Sequence, residues 1–270
     1  MERNALPVAL TVAGSDSGGG AGIQADLKTF HAFGVFGTSV VTAITAQNTL
    51  GVTAVHAVPL DVVRAQLEAV VTDLRPAAVK SGMLATAELV EEVARGLVDH
   101  GLERYVLDPV MVATSGDRLL DEDAESAVGE ALVPLATLVT PNLHEATILT
   151  GIPIGTEDDM RSAAAELVRM GARAALVKGG HLTGAAEAVD VLRTADGRER
   201  TWRRPRIETD QTHGTGCTLS SAAAASLARG ASLPDAVDRA VSFVARAIAG
   251  APGLGAGHGP VNHFVEADRA

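Results

Sequence analysis

Short apolar runs alternate with helix-length amphipathic stretches along almost the whole chain. Leu6 to Ala13 is a buried-strand pattern that gives way to a loop, Gly14-Ser-Asp-Ser-Gly-Gly-Gly-Ala-Gly22. A helix follows, with Ile23, Leu27, Phe30 and Phe33 at helical spacing. Thr38 to Ala46 reads as a second buried strand, ending at Gln47-Asn48-Thr49, and Val52 to Val58 as a third. The pattern then predicts a helix over Asp61 to Leu74, a short strand over Ala77 to Lys80 running into Ser81-Gly82-Met83, a helix over Thr86 to His100 and a strand over Arg104 to Leu107. Asp121 to Leu132 is helical, Thr137 to Val139 is a strand closed by Thr140-Pro-Asn142, and Asp158 to Met170 is a strongly patterned helix. Ala174 to Val177 is a strand ending at Lys178-Gly-Gly180. Val189 to Thr194 and Arg198 to Arg203 flank Asp196-Gly197, a hairpin turn signal. Helices over Thr215 to Ala228 and Pro234 to Ala249 precede a glycine-rich tail. The alternation specifies α/β class with a mostly parallel sheet covered by helices, and no linker or repeat divides residues 1–270, which read as a single domain.

Composition narrows the partners. A 270-residue chain with 47% hydrophobic but only 3% aromatic residues must build its core from Ala, Val, Leu and Ile. A formal charge of −11 argues against nucleic acid or an anionic membrane as partner, and any phosphate site must create its own positive potential. One cysteine excludes an internal disulfide framework. No apolar stretch approaches the roughly 20 residues that span a bilayer, and no signal-peptide pattern opens the chain. The expectation is a soluble, cytoplasmic protein.

The candidate chemistry lies in Asp210-Gln-Thr-His-Gly-Thr-Gly-Cys-Thr-Leu-Ser-Ser221. Gly214 and Gly216 permit a tight turn that opens into a helix, and a helix start offers unpaired N–H groups and a positive dipole end to an anion. The same positive end favours the thiolate of Cys217. Taken alone, the stretch also fits a glycine-started helix with a buried cysteine. Asp16, Gln47, Asp108, Asn142 and Lys178 each follow an apolar strand, and in open α/β sheets ligands bind beyond the carboxyl ends of the strands. Asp108 and Glu145 are hard oxygen ligands suited to Mg²⁺ with phosphates completing its shell, and Lys178 is suited to neutralising phosphate charge. Asp26 is placed to accept hydrogen bonds from a substrate. Glu145 and Asp26 equally fit a solvated first-turn carboxylate and a helix-surface charge.

Two simpler motifs fail. Gly20-Ala-Gly22-Ile-Gln-Ala25 matches the dinucleotide pattern, but the acidic residue expected about 20 positions on is missing, and no P-loop sequence occurs. His181, His213, His258 and His263 lack metal-ligand spacing.

Taken together, Gly14 to Thr29, Ala46-Gln-Asn-Thr49, Lys80-Ser-Gly-Met83, Leu107-Asp-Pro-Val-Met111, Thr140-Pro-Asn-Leu-His-Glu-Ala146, Lys178-Gly-Gly-His181, His213-Gly-Thr-Gly-Cys-Thr-Leu-Ser220 and Gly259-Pro-Val-Asn-His263 resemble the hydroxymethylpyrimidine/phosphomethylpyrimidine kinases of thiamine biosynthesis. These belong to the ribokinase-like superfamily, and the resemblance runs in order from about Ala9 to Phe264. It implies a three-layer sandwich and a bifunctional, ATP- and Mg²⁺-dependent homodimeric enzyme. Such an enzyme phosphorylates 4-amino-5-hydroxymethyl-2-methylpyrimidine and then its monophosphate. By the same resemblance Gln47, Gly14 and Asp26 hold the aminopyrimidine, and Met83 and Val110 wall the ring. Asp108 and Glu145, with Asn142, organise the Mg²⁺–phosphate region, Lys178 meets the transferring phosphate, and Thr212, His213, Gly214, Thr215 and Gly216 lead into an anion hole that ends at Cys217. Cys217 stands where sugar kinases of the superfamily usually carry an aspartate base. Ser81 replaces the larger residue often found before Gly-Met, and no lid strand pair is evident between the first strands. The rival readings are a pyridoxine or pyridoxal kinase of the same branch and a non-catalytic protein that binds vitamin precursors. Intact Lys178, carboxylates and anion turn speak against the latter.

Overall fold

The computed structural model describes residues 6–111, 122–180, 182 and 187–268. The start expected at Asp121 for one helix, and His181 of the Lys178 motif, lie outside the described residues.

Among the described residues nine strands form one sheet in the order β3-β2-β1-β4-β5-β6-β7-β8-β9. The strands are β1 Val8–Asp16, β2 Phe36–Asn48, β3 Gly51–Ala57, β4 Ala78–Ser81, β5 Tyr105–Leu107, β6 Leu138–Val139, β7 Ala174–Gly179, β8 Glu187–Thr194 and β9 Glu199–Pro205. Strands β2, β1, β4, β5, β6 and β7 run parallel, and β3, β8 and β9 are joined to them by antiparallel pairing. Helices α1 Gly22–Ala32, α7 Thr215–Ala228 and α8 Leu233–Ala249 cover one face, around Phe30, Phe33, Leu219 and Phe243. Helices α2 Leu60–Asp73, α3 Ala87–Asp99, α4 Glu122–Ala127, α5 Leu143–Thr150 and α6 Glu157–Arg169 cover the other, around Val63, Val90, Leu132 and Met160. The result is the expected three-layer α/β sandwich. Among the described residues no helix is long and apolar enough to cross a membrane.

The core is built from small side chains, as the scarcity of aromatics requires. Every residue of α7 from Thr218 to Ala228 is buried, with Ala222 to Ala225 completely so. Small side chains let this helix lie close against the sheet on one side and against α1 and α8 on the other. The few large rings fill the remaining space, Phe33 meeting Phe243 edge-on with centroids 5.1 Å apart.

Three features depart from the sequence pattern. β1 continues through Gly14 and Ser15 to Asp16, where a loop was expected, because Ser15 and Asp16 keep pairing with Ile44 and Thr45 beyond a bulge. Helix α5 entered the sequence reading only through the first-turn alternative for Glu145, with no range of its own. Its eight residues are too few to show a clear period, yet Asn142 and Glu145 form a full capping box at its start. The direction of the third strand is the other departure. β3 folds back on β2 at the sheet edge with Thr53 to Ala57 exposed, and the short apolar run of β3 had shown a strand but not its direction.

Candidate active site

The polar residues at the strand ends converge on one edge of the sheet, at the N-terminus of α7. Gly214 caps that helix with a φ of 81°, and a Cβ there would lie 1.8 Å from the Gly20 carbonyl oxygen. Only glycine permits this approach of the anion turn to the loop after β1. Thr212 closes the turn, its carbonyl accepting from the N–H and Oγ1 of Thr215 at 3.2 and 2.7 Å. The N–H of His213 donates to the Gly259 carbonyl at 3.1 Å. The first α-type bond of the helix runs from Thr218 N–H to the Gly214 carbonyl. The N–H groups of Gly214, Gly216 and Cys217 precede the first helical bond and are the ones left for an anion in the turn expected over His213 to Cys217.

Opposite these donors stand Lys178, Asp108 and Glu145. A Cβ on Gly216 would lie 3.1 Å from Lys178 Nζ and 3.8 Å from each Asp108 oxygen, so the bare glycine leaves room there. Asp108, 1% exposed, accepts from Lys178 Nζ at 3.3 Å, Ser220 Oγ at 3.2 Å and Thr140 Oγ1 at 3.4 Å. Glu145 is 4% exposed, so the solvated alternative does not hold, and one of its oxygens accepts from the Asn142 N–H at 2.8 Å. The Asn142 side chain is spent in return on the Glu145 N–H. Burial pushes Glu145 up to about 7, opposed by Lys178 and reinforced by Asp108. Burial works against the Lys178 ammonium, but Asp108 and Glu145 outweigh it and raise its pKa.

Two buried carboxylates sharing one lysine fit a divalent cation, which would relieve their mutual repulsion. Among the described residues no group of three or more His, Cys, Asp or Glu side chains gathers to hold a metal alone. The donor set thus suits a Mg²⁺ completed by phosphate oxygens, with Asp108 and Glu145 as its protein side.

On the other flank Gly14 and Met83 meet, since a Cβ on Gly14 would lie 2.7 Å from Met83 Cε. Val110 is half-buried after β5, its N–H turned back onto the Asp108 carbonyl at 2.8 Å. Gln47 is anchored through its backbone, which accepts from and donates to Ser17 Oγ at 2.7 and 2.8 Å. Its amide nitrogen stands 3.5 Å from His213 Nε2.

Asp16 fastens the two glycine loops together. Its carboxylate accepts from the N–H groups of Gly18, Gly20 and Ala21 at 2.8–3.0 Å and pairs with His213 Nε2 at 2.9 Å. Burial opposes the charge, yet the His213 bond and the Ala21 and Gly18 N–H groups hold Asp16 below the usual carboxylate range. The tail fastens the turn from the other side, with His263 Nε2 3.0 Å from Thr218 Oγ1. Burial and then Lys28 depress the His263 pKa from 6.5 to about 4. Below pH 6.5 the unfolded chain takes up a proton on this ring that the folded chain refuses, so stability present above 6.5 is lost as the pH falls towards about 4. We expect up to about 3 kcal/mol of acid destabilisation from this ring, read as the difference between wild type and His263→Gln in urea titrations across that range. Parallel curves for the two proteins would refute it.

Asp26 is not the helix-surface charge that the sequence also allowed. It is fully buried, and its oxygens accept from Lys80 Nζ at 2.9 and 3.0 Å, Thr11 Oγ1 at 2.6 Å and Ser221 Oγ at 2.6 Å. Cys217, partly exposed at the mouth of α7, also departs from expectation. Burial pushes its thiol up to about 12, against the pull of Lys80 and the Gly22 N–H. Desolvation here outweighs the helix N-terminus that favoured the thiolate.

Sequence reasoning singled out neither Lys80 nor the hydroxyls of Ser220, Ser221 and Thr11. The usable signal was a lysine inside an otherwise apolar strand, which must find a buried carboxylate. Ser81, noted as a departure, shares a 2.5 Å hydrogen bond with the buried Tyr105 hydroxyl.

Comparison with known proteins places this geometry. The family model described as phosphomethylpyrimidine kinase matches residues 16–262. A hydroxymethylpyrimidine/phosphomethylpyrimidine kinase from Rhizobium meliloti is 55% identical over 260 residues, covering 95% of this chain and 97% of the relative. The crystal structure of phosphomethylpyrimidine kinase from Clostridium difficile superposes with a TM-score of 0.80 at 43% identity, over 89% of this chain and 99% of that one. The ADP complex of Bacillus subtilis pyridoxal kinase gives 0.89 at 38% identity, over 96% and 98% of the two chains.

Proposed function

The chain belongs to the phosphomethylpyrimidine kinase family, and from that premise we propose how its residues transfer phosphate from ATP to 4-amino-5-hydroxymethyl-2-methylpyrimidine and then to the monophosphate. It is a kinase of thiamine biosynthesis. The observation that carries the mechanism is the convergence of the Gly216 gap, the Lys178 ammonium and the Asp108 carboxylate at the mouth of α7.

The aminopyrimidine lies between Met83 and Val110, close to Gly14, with the Gln47 amide on its polar edge. Asp26 serves this pocket from beneath, through Lys80 and Ser221, rather than by touching the ring. The N–H groups of Gly216 and Cys217 receive the oxygens of the transferring phosphate, and Lys178 balances their charge as the bond to ADP loosens. Asp108 and Glu145, the latter locked by Asn142, would hold Mg²⁺, which would supply further neutralisation of phosphate charge. The acceptor hydroxyl gives its proton to Cys217 as its oxygen forms the new P–O bond. The β,γ-bridging bond breaks and ADP leaves with the electron pair.

A thiol near 12 is protonated at neutral pH, so only its thiolate fraction can take that proton. If Cys217 is the base, Cys217→Ala lowers kcat about 10²-fold or more while the KM for ATP stays near wild type. A variant with nearly full kcat would transfer the burden to positioning and electrostatics.

The pyridoxal kinase superposition, with its TM-score of 0.89, gives a second reading specific support. Both substrates are heteroaromatic rings with a hydroxymethyl group. Product mass spectrometry with Mg²⁺-ATP and hydroxymethylpyrimidine, its monophosphate or pyridoxal separates them. Formation of the diphosphate supports the pyrimidine reading, whereas turnover of free hydroxymethyl compounds alone, pyridoxal fastest, overturns it. The enzyme is expected to be a homodimer, and light scattering that gives a single 27.6 kDa species would contradict this.

A further inference from the structure

Lys80 is the one lysine of β4, and its side chain is completely buried. Such a cation is unusual, and here its ammonium group is held by both oxygens of Asp26. Asp26 belongs to α1 and also receives Thr11 from β1 and Ser221 from α7. The node therefore ties four elements together beneath the transfer site. Ser221 stands one helical turn beyond Cys217, so the two side chains share a face of α7. The ammonium also lies against the pocket strand, since a Cβ on Gly82 would come within 2.9 Å of Lys80 Nζ. From there the chain passes directly to Met83, which meets Gly14.

We propose that Lys80 is a positioning residue for the phosphoryl transfer: gripped by Asp26 and fastened to α7 through Ser221, it fixes Cys217 and presents an immobile positive charge to its sulfur. The proposal rests on the reading of this site as a kinase centre in which Cys217 meets the acceptor hydroxyl. The charges that act on Cys217 come from every side. Lys80 from β4 favours the thiolate, Asp26 from α1 and Asp108 after β5 oppose it, and Lys178 of β7 attracts it. Of these, Lys80 exerts the largest pull towards the charged form. Lys178 attends the nucleotide phosphate, and Lys80, sealed from solvent, serves the acceptor side without touching substrate.

The test uses the full-length protein and the fact that it has one cysteine. Removing Lys80 alone strands a buried carboxylate, so the informative variant is Lys80→Met with Asp26→Asn, which deletes both charges. The pull of Lys80 on Cys217 exceeds the opposing push of Asp26 that is lost with it. We therefore expect this variant to fold, to bind ATP with an unchanged KM, and to alkylate with iodoacetamide more slowly than wild type at the same pH. Its kcat falls in parallel. An alkylation rate equal to wild type overturns the inference, because an ion pair that only stabilises the core would leave thiol reactivity alone. Slower alkylation with unchanged kcat sustains the action of Lys80 on Cys217 and instead removes Cys217 as the base. Should the double variant not fold, Ser221→Ala cuts only the tie to α7. The same slowing is expected there, and a wild-type rate in that protein counts against the proposal.

Discussion

Replacing Lys178 by methionine lowers kcat by about 10²–10³-fold while the protein stays folded and the KM for ATP changes far less. The asymmetry follows from where the ammonium sits. It lies 3.3 Å from Asp108 and beside the space that Gly216 leaves open, which in the proposed mechanism is where negative charge accumulates during transfer. An interaction that strengthens only in the transition state appears in kcat, and one shared with the ground state appears in KM. The fold tolerates the loss because Glu145, already pushed up to about 7, can take up a proton once its counter-charge is gone. Steady-state kinetics with ATP and the pyrimidine monophosphate would decide. A variant whose KM rises at constant kcat would make Lys178 a nucleotide-docking residue instead.

The second large effect concerns stability. Lys80→Met should destabilise the protein by about 3–5 kcal/mol, because it leaves Asp26 buried with no cation beside it. Lys80 itself is held charged. Burial disfavours its ammonium, but Asp26, Cys217 and Asp108 outweigh burial and raise its pKa. Adding Asp26→Asn should recover most of the loss, since Thr11 and Ser221 can still bond the amide and a buried pair contributes little beyond the cost of its own desolvation. Urea denaturation of the single and double variants measures both quantities. A single variant within about 1 kcal/mol of wild type would mean that Asp26 is content as a neutral acid.

These expectations depend on features that differ in how visible they were. Helix α7 was read from Thr215 to Ala228, as observed, because the glycine turn and the run of alanines leave few alternatives. The α/β alternation likewise gave the layers and placed Asp108, Asn142 and Lys178 on one edge. Pairing over long separations was not legible. Asp26 and Lys80 lie 54 positions apart, and although a lysine in an apolar strand calls for a buried carboxylate, nothing in the sequence says which one. Desolvation was equally hidden. The turn argued for a reactive thiolate at Cys217, but only the packed site reveals how strongly burial opposes it. Helix α5 received no range for a local reason, yet its Asn142–Glu145 capping box was readable and would have shown that Glu145 is held in place.

The interlock of the two glycine loops has a consequence for biosynthesis. Asp16 and His213 are separated by 197 positions, and the Gly20 carbonyl meets Gly214 only when both loops are in place. A ribosome-bound chain displays its first strand and loop long before the residues that complete them exist. Contacts of such span form late and slowly, and intermediates that await them expose apolar surface. Residues as far along as Gly259 and His263 hold the turn from behind, so the anion turn is complete only once they have been made. A chain interrupted before them lacks the contacts that fasten the turn in place.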